Sequence, residues 1–273
     1  MPHEIGRSTT AAGALSAEAE NTDMPRMFDL HAHVVPGVDD GADSPAMAAE
    51  LLQMAVRQGV TDMVCTSHSW GISRHNGVYW RGLRTLRQYA AEHLPGLRLH
   101  SGCEIACSQQ TVWEVIGLLE TGAIHPLCDS RYLLVEFDPY APPEEIAGCF
   151  RTLKAHTGYR FILAHAERCH RLADAPDVLE ALAETGVLLQ LNAFSLVQEH
   201  DERIRGFARQ LLAQERADFL GSDCHRTGHR PPAVAQGLAY IRENCRAEYA
   251  HAVCCGNARR LLLRSNPPQE GHY

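Results

Sequence analysis

Asp29-Leu30-His31-Ala32-His33, with Asp39-Asp40-Gly41 close behind, is the stretch on which the reading of this chain turns. Phe28 to Leu30 is a short apolar run of strand character, and side chains at i and i+2 of a strand share one face. His31 and His33 should therefore point the same way, as two imidazoles holding one metal ion must. The acidic pair arrives within the reach of one loop. Two histidines at a strand end are a moderate signal; further ligands ending other strands make it a strong one.

Outward from that stretch, strand-like runs recur at 61–66, 97–103, 132–137, 161–164, 187–192 and 218–221. Helix-like runs fall between them, at 44–58, 81–93, 111–119, 143–156, 177–184, 201–214 and 232–244. Ser44-Pro45 offers an N-cap with proline at the first helical position, Asp201 opens another helix, and Gly59, Gly158 and Gly186 stop three. Strands alternating with helices imply βα units and a parallel sheet. Six or seven units favour an α/β barrel over a doubly wound sheet, and no Gly-x-Gly-x-x-Gly follows a strand. Residues 1–26 are rich in Ala, Thr, Ser and Glu without periodicity. They read as a disordered extension, or as an over-extended start upstream of Met24 or Met27, ahead of a domain at 27–265 and a flexible tail at 266–273.

Chemistry in an α/β barrel sits where the strands end on their C-terminal side. After the first strand, with His31, His33 and Asp40, come Thr66-Ser67-His68, Gly102-Cys103-Glu104, Val135-Glu136, Ala164-His165-Ala166-Glu167-Arg168, Gln190-Leu191-Asn192 and Ser222-Asp223-Cys224-His225. Singly, each is as readily a solvated carboxylate or a satisfied histidine. Accidents would scatter them along the strands, whereas these cluster at one end of each. Nine candidate ligands exceed what one ion takes, so two or three divalent metals are expected. Imidazole and carboxylate without thiolate suit Mn, Fe or Zn better than Ca or Mg.

Composition bounds the alternatives. With 273 residues and 45% hydrophobic content the chain can bury one large domain. A formal net charge of −8 argues against a nucleic-acid surface. The ten cysteines are scattered and lack paired Cys-x-x-Cys sites, which reads as buried thiols in a reducing cytoplasm. No apolar run is long enough to insert in a membrane, and no signal-peptide pattern opens the chain.

Asp-Leu-His-Ala-His, Asp-Asp-Gly, Thr-Ser-His, Gly-x-Glu, Val-Glu-Phe, Ala-His-x-Glu-Arg and Ser-Asp-x-His occur in that order. Together they resemble the polymerase-and-histidinol-phosphatase (PHP) superfamily, from about residue 27 to about residue 263. Within it the chain is most similar to the manganese-dependent protein tyrosine phosphatases of bacterial capsule and exopolysaccharide synthesis. The resemblance implies a distorted, TIM-like (β/α)7-type barrel and a trinuclear site. His31, His33, Glu104 and Asp223 would hold one metal, with Glu104 bridging to a second held by Glu136 and His165. Asp40, His68 and His225 would hold the third. Arg168 and Arg230 fall on the family's phosphate-binding arginines. Mn is the implied metal, and the implied partner is a phosphotyrosine protein, an autophosphorylated bacterial tyrosine kinase. Ala166 and Arg226 depart from the family's usual proline and asparagine, and the loop at 70–80 follows no known pattern. Its Trp70, Tyr79 and Trp80 would either flank a phosphotyrosine ring or pack the loop, the latter being favoured. Asp29 is either a carboxylate that fixes a histidine tautomer or a simple strand-start residue.

Four rivals remain. A cysteine-dependent phosphatase would use Cys224 and Arg230, which fit Cys-x5-Arg, although Cys254 to Arg260 fits the same spacing by chance. Another PHP phosphoesterase would take histidinol phosphate or nucleic-acid ends. An amidohydrolase would want a bridging lysine in mid-barrel, and Lys154, the single lysine, lies in a helix-like run. The last is a metal-stabilised binding module without activity.

Overall fold

In the computed structural model, residues 27–264 are described, with side chains to Leu261. The expected disordered extension and tail lie outside the described residues. The elements alternate from the start: β1 (Met27–Ala32), α1 (Pro45–Arg57), β2 (Val60–Cys65), α2 (Ser69–His93), β3 (Arg98–Ser101), β4 (Glu104–Ala106), α3 (Val112–Glu120), β5 (Tyr132–Glu136), α4 (Pro143–His156), β6 (Arg160–Leu163), α5 (Pro176–Glu184), β7 (Leu188–Asn192), α6 (Glu202–Ala213), β8 (Phe219–Gly221) and α7 (Ala235–Asn244). α8 (Ala247–His251), a π-helical turn (Ala252–Gly256) and α9 (Asn257–Arg264) follow, beyond the last helix the sequence suggested. Among the described residues no helix is long and apolar enough to cross a membrane.

Every strand pair is parallel, in two sheets ordered β1-β2-β3 and β4-β5-β6-β7-β8. Two parallel bridges tie the sheets together, Ala32 with Cys224 and His68 with Glu104. At the first, the Asp223 amide donates to the His31 carbonyl and the His33 amide to the Cys224 carbonyl, both at 2.8 Å. At the second, the Glu104 amide donates to the Ser67 carbonyl at 3.2 Å.

The run 97–103 is not one strand, and the break has a visible cause. Tyr79 is fully buried, and its hydroxyl contacts the Gly102 amide at 2.9 Å and the Gly102 carbonyl at 3.0 Å. A Cβ at Gly102 would stand 2.5 Å from a Val64 methyl. The backbone is pinned there and leaves β2 for β5. Tyr79 sits there because 70–80 is helix rather than loop. α2 runs from Ser69 to His93 with a kink at a non-helical His75, and buries Ile72, Tyr79, Leu83 and Leu86. Gly71 lets its first turn press on the Val38 carbonyl, and glycines at 71 and 77 are what hide a helix from propensity reasoning.

Two apolar cores result. A small one lies within the strands: Phe28, Leu30, Val64, Leu134, Ile162 and Phe219, joined by Ala258 and Leu261 of α9. A larger one fills the space between strands and helices. Each fully buried Leu, Ile or Phe contributes roughly 1.5–3 kcal/mol. The helix entries match their signals, with Ser44 Oγ accepting from the Met47 amide at 3.3 Å and Asp201 Oδ1 from the Ile204 amide at 2.9 Å. Lys154 lies in α4 and reaches the Thr185 carbonyl, far from any mid-barrel role.

Candidate metal centre

The strand ends deliver all nine residues to one place. Four groups of three or four have ligand atoms within 4.8 Å of one another: His33, Asp40, His68, His225; His31, His33, Asp223; His31, Glu104, His165; and His68, Glu104, Glu136. Together they contain the nine expected residues and, among the described residues, no tenth. Glu104 is the hub. Its Oε1 lies 3.1 Å from His31 Nε2 and 3.0 Å from His165 Nε2; its Oε2 lies 3.2 Å from His33 Nε2 and 3.0 Å from His68 Nδ1.

Positive charge is what this arrangement lacks. His31 Nδ1 faces Gln190 Oε1 at 3.1 Å and His33 Nδ1 faces Asp39 Oδ2 at 2.9 Å. Both acceptors are oxygens, so each Nδ1 donates, and a neutral ring at either position turns its Nε2 lone pair inward, toward Glu104 and the other imidazole. The two Nε2 atoms confront each other at 3.0 Å. Glu104 Oε2 and His68 Nδ1 are buried without a hydrogen bond. Burial opposes protonation of His31, yet the Glu104 and Asp223 carboxylates raise its pKa. Against the same burial, Asp39 and Glu104 raise His33 well above the ordinary imidazole value. Glu104 goes well below its own, despite burial, through His31, His165 and His33. At His225 burial, helped by the neighbouring His33, wins and lowers the pKa to about 3. A cation placed among the donors would resolve the facing ring nitrogens and stand in for the protons the carboxylates draw in. The donor set, five imidazoles and four carboxylates, fits a divalent metal.

Asp223 divides its two oxygens. Oδ1 lies 3.6 Å from both His31 Nε2 and His33 Nε2. Oδ2 takes Arg168 Nη1 at 2.7 Å, Asn192 Nδ2 at 3.1 Å and Arg230 Nη1 at 3.5 Å. Arg230 also contacts His225 Nε2. His165, Asp223 and Arg230 adopt left-handed backbone conformations. A side chain with a Cβ pays roughly 1–2 kcal/mol for that, and such outliers gather at functional sites.

Not every residue singled out from sequence reaches the centre. Asp29 touches no imidazole ring; its Oδ1 accepts from the His31 and Ser222 amides and ties β1 to the end of β8. Tyr79 and Trp80 pack against His125, away from the site, whereas the half-exposed Trp70 stacks on His68 with centroids 5.5 Å apart. Cys224 is fully buried in the larger core, and burial pushes its thiol pKa well up, the reverse of what a nucleophile needs. Among the described residues the cysteines form no disulfide, and all but Cys245 are buried. Conversely, Asp39 and Gln190 orient ring nitrogens although sequence position does not single them out: Asp39 stands beside the expected Asp40, and Gln190 reads only as a strand end.

A sequence profile for the family described as "Capsular polysaccharide synthesis, CpsB/CapC" matches residues 27–263. The chain belongs to the CpsB/CapC family. CapC of Staphylococcus aureus is 32% identical to this CpsB/CapC protein over 212 residues, 77% of this chain and 81% of its own. The tyrosine-protein phosphatase YwqE of Bacillus subtilis is 29% identical over 256 residues, 89% of this chain and 96% of its own. In three dimensions the chain is similar to a solved structure from work on YwqE of B. subtilis and CpsB of Streptococcus pneumoniae, described as metal-dependent tyrosine phosphatases. The TM-score is 0.75 at 27% identity, covering 88% of this chain and 96% of that one. The family is the one to which the seven motifs pointed.

Proposed function

We propose that this CpsB/CapC protein is a metal-dependent protein tyrosine phosphatase, built as a distorted (β/α)7-type barrel of the PHP kind. The observation that supports it is the meeting of ring nitrogens: the Nε2 atoms of two buried imidazoles face each other at 3.0 Å inside a ring of carboxylates, with two arginines on the far oxygen of Asp223. His31, His33, Asp40, His68, Glu104, Glu136, His165, Asp223 and His225 would hold two or three divalent ions, with Mn the best match and Fe or Zn alternatives. When bound, the cations neutralise the phosphate dianion and lower the pKa of water toward neutrality, which makes it a nucleophile.

The chain's own residues supply the rest. Glu104, Glu136 and Asp223 supply negative charge that would retain divalent cations. Arg168 and Arg230 project N–H groups beyond Asp223, and these clamp the phosphate oxygens over which transition-state charge spreads. Asp223 fixes both guanidinium groups before substrate arrives, so little ordering is left to the reaction. A tyrosinate leaving group, with a pKa of about 10, needs less protonation than an alkoxide. The substrate would be a phosphotyrosine protein, an autophosphorylated bacterial tyrosine kinase by the family's logic. Buried, unlinked cysteines suit a cytoplasmic location.

The decisive assay is metal-reconstituted hydrolysis of a phosphotyrosine peptide, run beside histidinol phosphate. The peptide is expected to turn over faster, His33→Ala to be inactive, and Cys224→Ser to stay within about twofold of wild type. Preference for histidinol phosphate would return the protein to the other PHP branch; loss in Cys224→Ser with indifference to chelation would favour a thiol mechanism.

A further inference from the structure

Beside the metal centre lies a cavity of about 460 Å3 that the chemistry above leaves unused. Arg168, Asp223 and Arg230 are among the residues that line it, and Phe194, Ile204 and Pro231 supply apolar surface. Phe194 is 40% exposed, and its ring stacks on His200, another lining residue, with centroids 6.2 Å apart. The turn that carries it, Ala193–Leu196, is held fast. The Val197 and Gln198 amides both donate to the Phe194 carbonyl at 3.0 Å. On α7, Gly237 packs so tightly on Ala193 that a Cβ there would overlap the Ala193 carbonyl. Opposite, Ile204 is set by the Asp201 cap of α6. A rigid apolar wall beside two guanidinium groups has the shape an aryl phosphate needs, anion on the polar side and ring on the apolar side. Trp70, the exposed ring that stacks on His68, does not line this cavity.

The geometry points to this cavity as the seat of the substrate's aromatic ring, with Phe194 as the residue that favours aryl over alkyl phosphates. This rests on the phosphatase reading above. The test compares metal-loaded wild type, Phe194→Ala, Phe194→Tyr and Trp70→Ala. Calorimetry with phenylphosphonate and methylphosphonate reads binding; phosphotyrosine and glycerol 2-phosphate read turnover. Phe194→Ala is expected to weaken phenylphosphonate and lower kcat/KM for phosphotyrosine by about tenfold, while methylphosphonate binding and glycerol 2-phosphate turnover stay within about twofold. Phe194→Tyr should retain the preference, and Trp70→Ala should leave it intact. Equal losses on aryl and alkyl ligands, no loss, or an aryl-selective loss in Trp70→Ala would overturn the assignment while wild-type phosphotyrosine turnover leaves the phosphatase reading standing. Absence of that turnover in the wild type would instead sink the reading itself.

Discussion

Asp39 illustrates how one carboxylate organises a site without entering it. Its Oδ2 accepts from His33 Nδ1 and from the His68 amide, both at 2.9 Å, and its Oδ1 from the Gly41 amide at 3.0 Å. Burial would raise its pKa, but His33 and these amides hold it far below the ordinary carboxylate value, so it stays charged. Removing it frees the His33 ring to rotate and to take the wrong tautomer. Asp39→Ala should therefore weaken metal binding by about 10–100-fold, read by metal titration of the purified protein, with the fold retained by circular dichroism. The adjacent Asp40, 59% exposed and 3.4–3.5 Å from His68 and His225, is the member of the pair that joins the cluster of candidate ligands. Sequence spacing places both acids near the histidines; it does not say which oxygen points where, and the two exchange roles if the loop turns by one residue. The arginines offer a second test at this scale. Arg168→Ala and Arg230→Ala should each lower kcat/KM by about 10²–10³-fold, with Lys replacements recovering only part because an ammonium lacks the planar set of N–H groups that can hold Asp223 and phosphate together.

At the scale of elements, the strands and most helices were legible because their buried faces carry apolar residues at regular spacing. The misses were local. The helix at Ser69 was hidden by two glycines, and the β3–β4 break by an unbroken strand-like run. No periodicity encodes the Tyr79 hydroxyl that causes the break. A different side chain secures the β2–β3 pair. Asp62 is buried and takes Arg98 through two bonds of 2.8 Å and His100 at 3.0 Å. Burial would raise its pKa, but the hydrogen bonds from His100 and Arg98 bring it down to about 2. A lowered folded pKa gives stability that is present above the unfolded value of 3.8 and fades as pH falls toward 2. Because Arg98 is largely exposed, the gain is roughly 1–2 kcal/mol. Urea melts of wild type and Asp62→Asn should differ by that amount at pH 6, draw together as the pH falls below the unfolded value of 3.8 and converge only near pH 2; a gap independent of pH would mean that the ion pair is not its source.

For the whole molecule, the centre concentrates four carboxylates and five imidazoles in one buried spot, so the folded state is short of positive charge until ions enter. Binding to the folded chain alone raises stability by mass action, about 2.7 kcal/mol at a hundredfold excess over Kd. Chelation should lower Tm by several degrees and abolish turnover together, whereas alkylating the accessible thiol should change neither; differential scanning calorimetry beside the activity assay decides it. The architecture as a whole was visible in the sequence because the ligands sit at strand ends, and strand ends mark a single rim. What was not visible is the join between the sheets. Each of the two bridges that connect them involves a ligand or its immediate neighbour: Ala32 between His31 and His33 meets Cys224 between Asp223 and His225, and His68 meets Glu104. Cations held by these residues would act as rivets across the two joins between the sheets. Drawing them out should let both joins breathe, so that deuterium enters the amides of His33, Glu104 and Asp223 sooner than those in the middle of β5 and β6, and loading the metal again should slow it.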